Sequence, residues 1–159
     1  MIEKAKKSDI EEISALAEKT RIQMLEMGLL QWVGDYPNQA HFLNDYKQDG
    51  LYIYKEKGKI MASVTILPEN EEAYKEITWL KDNSLVIHRV IVSPDSQKKG
   101  IGQALFSKAI ELGKELGCDS IKVDTHPDNF RMQGLIKKMG FKDIGYLSGI
   151  NRLAYELCL

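Results

Sequence analysis

The chain has 159 residues, 43% hydrophobic and 28% charged, with a formal net charge of −1. That length suits one domain with its own core, and the balanced charge argues against a broad nucleic-acid footprint. No apolar run approaches the ~20 residues of a membrane span. The opening Met1-Ile2-Glu3-Lys4-Ala5 lacks an apolar signal core. Cys118 and Cys158 show neither CxxC nor Cys/His spacing, so a disulfide framework or a metal site is not expected and a reducing cytoplasm is the simplest setting.

In chain order, residues 2–5 read as a short strand. Ser8-Asp9-Ile10-Glu11 has capping-box spacing, and Ile10, Ile13, Leu16, Ala17, Ile22 and Leu25 then form an interrupted helical stripe ending near Gly28. Residues 32–37 read as a loop, and Pro37 suits the first turn of a shorter helix reaching about residue 48 before Asp49-Gly50 breaks it. Residues 51–54 and 59–66 are strands joined by a Lys57-Gly58 hairpin turn. Residues 68–82 are polar and acidic, with room for a short helix. Residues 85–92 are a β-branched strand. Ile101, Ala104, Leu105, Ala109, Leu112 and Leu116 form a helical stripe ending at Gly117. Residues 120–124 are a strand, Asp128 or Asn129 caps a helix carrying Met132, Leu135, Ile136 and Met139, and Gly140 ends it. Residues 141–146 and 152–157 close the chain as strands. The order βααββ followed by βαβαββ predicts one domain over residues 1–159, an α/β fold of the mixed α+β kind, with parallel strands around the 101–116 helix and antiparallel hairpins beside them.

The chemistry concentrates at Gln97-Lys98-Lys99-Gly100-Ile101-Gly102, between the 85–92 strand and the helix beginning at Ile101. The first amides of a helix lack intrahelical acceptors, and the macrodipole adds partial positive charge there. Lys98 and Lys99 supply full charges, and Gly100 and Gly102 let phosphate oxygens approach the backbone. The pattern predicts a pyrophosphate site. A nucleotide loop of the GxxxxGK[ST] type has no match. A dinucleotide loop matches at Gly100 and Gly102 but has Leu105 in place of its third glycine, with Asp124 downstream at ribose-binding distance. A merely solvated loop is the third reading of these residues.

The wider stretch resembles the GNAT superfamily of acyl-CoA-dependent N-acetyltransferases. Gln97, Gly100 and Gly102 match its Gln/Arg-x-x-Gly-x-Gly/Ala loop, and Asn129 and the Gly140-Phe141 pair match its second half. The likeness is sharp from about residue 85 to residue 146 and rests elsewhere on element order. It implies a twisted mixed sheet of about six to seven strands with about four helices, splayed between its two central strands. It also implies acetyl-CoA as co-substrate, with no metal. Gln97, Lys98, Lys99, Gly100, Ile101, Gly102 and Gln103 would hold the diphosphate. The main chain of Val90, Ile91 and Val92 would pair with the pantetheine arm as a pseudo-strand, and Asn129, Met132 and Leu135 would contact that arm. Asn129 reads equally well as a plain helix cap, and Met132 and Leu135 as core.

The implied reaction is direct attack of a primary amine, on a small molecule or a peptide, on the thioester. An amine of pKa about 10.4 costs roughly 4.6 kcal/mol to deprotonate at pH 7, so the site needs a base, a water relay or an apolar pocket. His88 is the candidate base, with His126 behind it, while His41 reads as a surface residue. A backbone amide of Ile91 or Val92 would stabilise the oxyanion. The family's usual tyrosine, five residues before the phenylalanine of the Gly-Phe pair, is replaced by Ile136. Tyr146, Tyr155 or water would then protonate the thiolate, and a non-catalytic acyl-CoA sensor is the alternative. The acceptor pocket would draw on Trp32, Asp35 and Tyr36 between the first two helices, with Trp79 as a further wall. Aromatic faces and one carboxylate suit an ammonium group, and packing of the loop onto the core explains the same residues. A homodimer is compatible with this reading.

Overall fold

A computed structural model describes residues 2–96 and 99–159. Its described elements are the strands β1 Ile2–Lys4, β2 Leu51–Glu56, β3 Lys59–Pro68, β4 Ser84–Val92, β5 Ser120–Thr125, β6 Lys142–Leu147 and β7 Arg152–Cys158, and the helices α1 Ile10–Glu26, α2 Gln39–Lys47, α3 Ile101–Glu115 and α4 Phe130–Lys138. The strands follow the order β1-β2-β3-β4-β5-β7-β6 in a seven-stranded sheet. β4 and β5 are parallel, and the β1–β2, β2–β3, β5–β7 and β6–β7 pairs are antiparallel. This is the expected mixed sheet. Among the described residues, no helix is long and apolar enough to cross a membrane.

The chain divides into two compact units. One comprises Met1–Leu67 with His88–Leu105, and the other Pro68–Ile87 with Phe106–Leu159. In the first, Ile10, Ile13 and Ala17 of α1 pack with Phe42 of α2, Leu51, Ile53 and Ile60 of the β2–β3 hairpin, and Ile91 of β4. That hairpin turns at Lys57 and Gly58, both with positive φ (51° and 76°). This is the conformation that a two-residue turn of the right twist requires. In the second unit, Tyr74, Val86, Leu147 and Ala154 form a core cluster with Ile77 and Trp79 against it, and the rings of Phe106 and Phe141 meet edge to face at 5.7 Å.

Several expectations need correction. Ser8 does not cap α1: Asp9 stands at its N-cap position without a side-chain cap bond, and the Asp9 carboxylate instead accepts the Lys6 N–H at 2.8 Å, closing the 3-10 turn over Lys7–Asp9 that precedes the helix. The α1 stripe is buried only in its first half; Ile22 and Leu25 are exposed, as is Leu116 after α3. Helical spacing marks a face but not how far a neighbouring layer covers it. α2 starts two residues after Pro37, because the Asn38 side chain accepts the amides of Ala40 and His41 at 2.9 and 3.4 Å. His41 is no surface residue. It is half-buried, its Nδ1 accepts the Asn38 N–H at 3.1 Å, and its ring meets Tyr36 edge-on at 4.7 Å.

Candidate active site

The parallel ladder with β5 is described from Ser84↔Ser120 to Ile87↔Val123, all in the second unit, while β4 itself continues to Val92, and its residues from His88 onward count to the first unit. Arg89 opens this continuation with a φ of 46°. A non-glycine residue in that region inside a strand marks a kink, and it persists only when its surroundings hold it. Beyond the kink, the Ile91 side chain is fully buried in the core while Val90 and Val92 are half-buried. Ser93 N–H donates to Met61 O at 2.7 Å, which fastens the end of β4 to β3. A 3-10 turn at Pro94–Ser96 follows. Its Asp95 pairs with Lys19 of α1 at 2.9 Å, an exposed contact that contributes little by itself.

The loop then reaches the start of α3. Gln97 and Lys98 lie outside the described residues. Lys99 and Gly100 are exposed, Ile101 is buried, and Gly102 and Gln103 are half-buried. Gly100 has φ +78°, and among the described residues a Cβ built there would meet nothing within 4 Å. On that side no described residue covers its backbone. Ala104 N–H closes the first turn onto Gly100 O at 3.1 Å. The amides ahead of it, of Ile101, Gly102 and Gln103, stand where a helix has no acceptors of its own. Together with the Lys99 ammonium they make a donor set suited to a diphosphate.

His88 lies just before the kink. Burial lowers its pKa to about 4, with the neighbouring Arg89 charge adding to the effect and Asp45 opposing it. It is therefore a neutral imidazole near pH 7 and a weak proton acceptor.

Of the residues expected to receive the amine, Trp32 is buried in the first unit's core, Asp35 is exposed and accepts a 3.3 Å hydrogen bond from Asn38 Nδ2, and Tyr36 is half-buried. The Tyr36 hydroxyl accepts from Arg89 Nη1 at 3.0 Å. Arg89 also grips the buried Asp45, with Nε to Oδ2 at 2.7 Å and Nη2 to Oδ1 at 2.5 Å, and Thr65 Oγ1 donates to the same carboxylate at 2.7 Å. No local pattern pointed to this cluster. The one hint was a carboxylate on the apolar side of α2, where Asp45 follows Phe42 by three residues.

The remaining expected residues lie in the second unit. Asn129 is a helix cap, its Oδ1 accepting the Met132 N–H at 3.1 Å, and Met132 and Leu135 are half-buried on α4. Ile136 is fully buried and Tyr155 nearly so, whereas Tyr146 is about half exposed with its hydroxyl donating to Asn151 at 2.6 Å. His126 Nδ1 accepts the Asp128 N–H at 3.0 Å. Trp79 donates its indole N–H to Tyr74 O at 2.8 Å, and Lys122 Nζ lies 4.9 Å from its ring centroid. Asp124, read above as a ribose contact of a dinucleotide loop, accepts the Tyr74 hydroxyl at 2.5 Å.

A parallel strand pair with a helix between them, headed by an exposed glycine, defines an α/β protein with a mixed sheet. The family model for acetyltransferases of the GNAT family matches residues 5–141, and the chain belongs to that family. A GNAT-family acetyltransferase structure from Streptococcus agalactiae superposes with a TM-score of 0.90 at 28% identity, covering 100% of this chain and 95% of that one. An N-acetyltransferase structure from Thermoplasma acidophilum in complex with coenzyme A shares the fold, with a TM-score of 0.78 at 14% identity over 100% of this chain and 98% of that one. An uncharacterized N-acetyltransferase of Methanocaldococcus jannaschii is 26% identical over 114 residues, which is 69% of this chain and 46% of that relative. The chain thus spans about half the length of the curated relatives that it matches.

Proposed function

We propose that the chain is an acetyl-CoA-dependent N-acetyltransferase that acts as a single domain on a primary amine of a small molecule or peptide. The observation that carries this reading is the exposed backbone at Gly100, at the head of α3, eight residues beyond the end of a strand that continues past its described ladder. Family membership and a fold shared with a coenzyme A complex support it.

Lys99 and the amides of Ile101, Gly102 and Gln103 hold the diphosphate, together with Gln97 and Lys98. The main chain of Val90, Ile91 and Val92 takes the pantetheine arm, with Asn129, Met132 and Leu135 as its further contacts. Acetyl-CoA supplies a thioester; the amine nitrogen forms the new C–N bond as the C–S bond breaks, and the amine's proton leaves. An amide of Ile91 or Val92 stabilises the charge that develops on the carbonyl oxygen. His88 is the acceptor of the amine's proton, and its weak basicity means that the pocket must also lower the amine's own pKa. Tyr146 is the donor to the thiolate. Trp32, Asp35, Tyr36 and Trp79 belong to the acceptor region, with Asp35 as the exposed carboxylate that draws in an ammonium group.

One observation favours a second reading, a CoA-binding module without turnover: Ile136 is buried where the family's tyrosine usually stands. Incubation with acetyl-CoA and a panel of primary amines and peptides, followed by thiol release and product mass, separates the two. Release that depends on the amine supports the enzyme. Tight CoA binding with no product from any amine leaves the sensor, and no CoA binding at all removes both.

A further inference from the structure

The kink in β4 and the α1–α2 loop are joined through one side chain. Arg89 sits at φ 46°, a left-handed conformation that a non-glycine residue keeps only when its surroundings compensate. The compensation is visible. The guanidinium forks onto both oxygens of Asp45, at 2.7 and 2.5 Å. Asp45 is 1% exposed and is held in turn by the Thr65 hydroxyl at 2.7 Å. A bidentate pair of this kind fixes direction as well as charge, which a lysine's single ammonium does not. The remaining arm, Nη1, reaches the Tyr36 hydroxyl at 3.0 Å, and the Tyr36 ring meets the His41 ring edge-on at 4.7 Å.

We propose that Arg89 is a positioning residue: anchored on Asp45 and holding the Tyr36 hydroxyl, it keeps in one geometry both the kinked strand 88–92 and the loop 32–37. The inference rests on the acetyltransferase reading, in which that strand receives the thioester and that loop the amine. A purely structural ion pair would support stability alone. A positioning pair ties the approach of the amine to the alignment of the strand, where a misplacement of about 1 Å can cost on the order of 100-fold in rate.

Three variants test it, each followed by backbone amide NMR of the ligand-free protein, CoA affinity by calorimetry, and kcat and KM for the amine. Tyr36→Phe removes only the hydroxyl. It should shift the amide signals of residues 88–92, lower kcat/KM for the amine about tenfold, and leave the CoA Kd within about twofold. Arg89→Lys should shift both segments, raise the CoA Kd about tenfold and lower kcat further. Glu12→Ala removes the carboxylate that accepts the Ile60 N–H at 2.8 Å and makes none of the bonds of the Arg89 cluster, so it should lower Tm and leave kcat and KM unchanged. Arg89 is merely structural if Tyr36→Phe moves neither the strand amides nor kcat/KM, or if Glu12→Ala reproduces its kinetic effect. Should the wild-type chain neither bind CoA nor acetylate any amine, the acetyltransferase reading falls. The amide shifts in Tyr36→Phe and Arg89→Lys then decide alone whether Arg89 couples loop and strand.

Discussion

Lys122 and Glu156 face each other across the β5–β7 ladder, and both are shut off from solvent. Glu156 accepts from the amides of Leu80 and Lys81 at 2.6 and 3.1 Å and from Ser120 Oγ at 2.5 Å, and Ser120 in turn meets Ser84 Oγ at 2.7 Å. Lys122 lies 3.6 Å from Glu69 and over the Trp79 ring. The segment that leads into β4 is thus tied to β7 by one carboxylate. Glu156→Gln turns an amide N–H toward existing donors and leaves a buried donor unpaired, so it should destabilise the fold by about 1–3 kcal/mol. Urea unfolding of the two proteins at pH 7 measures this. A difference below about 1 kcal/mol would mean that the network is not held as drawn.

Gly50 is required for space. A Cβ there would sit 2.8 Å from Ile66 O and 2.3 Å from Leu67 Cδ2, and the carbonyl cannot retreat, because Ile66 N–H donates back to Gly50 O at 2.8 Å. Gly50→Ala should cost about 1–3 kcal/mol and lower the thermal midpoint. An unchanged midpoint would contradict this packing.

His88 makes a pH-dependent contribution with a definite sign. Its folded pKa, about 4, lies below its ordinary value of 6.5, so the unfolded chain takes up the proton first. Stability is therefore complete above pH 6.5 and declines as the pH falls toward 4, by roughly 3 kcal/mol at most. In His88→Gln the decline between those limits should be shallower than in the wild type. Parallel curves for the two proteins in denaturant titrations at pH 4.5, 5.5 and 7 would show that the imidazole titrates as it does in water.

Gly102→Glu places a carboxylate among the leading amides of α3. A negative charge at a helix N-terminus does not oppose the helix, so circular dichroism and Tm should change little. Repulsion of a diphosphate at about 4 Å should weaken CoA binding on the order of 100-fold. Undiminished affinity by calorimetry would move the diphosphate away from this turn.

Much of this molecule follows from chemistry within a few residues of each position. The Lys57-Gly58 turn, the Asn129 cap, the helix ends at Gly117 and Gly140 and the exposed turn at Gly100 each depend on neighbours close in sequence, so periodicity and capping rules find them. The roles of buried polar and aromatic residues do not arise that way. Trp32 in the core, Trp79 beneath Lys122, and Arg89 joined to Asp45 and Tyr36 across 44 and 53 positions of chain depend on which distant segments fold against each other. Only the packed sheet and helices bring those partners within hydrogen-bonding range, because such a bond acts over about 3 Å, whereas a side chain's sequence neighbours carry no record of what lies across the core.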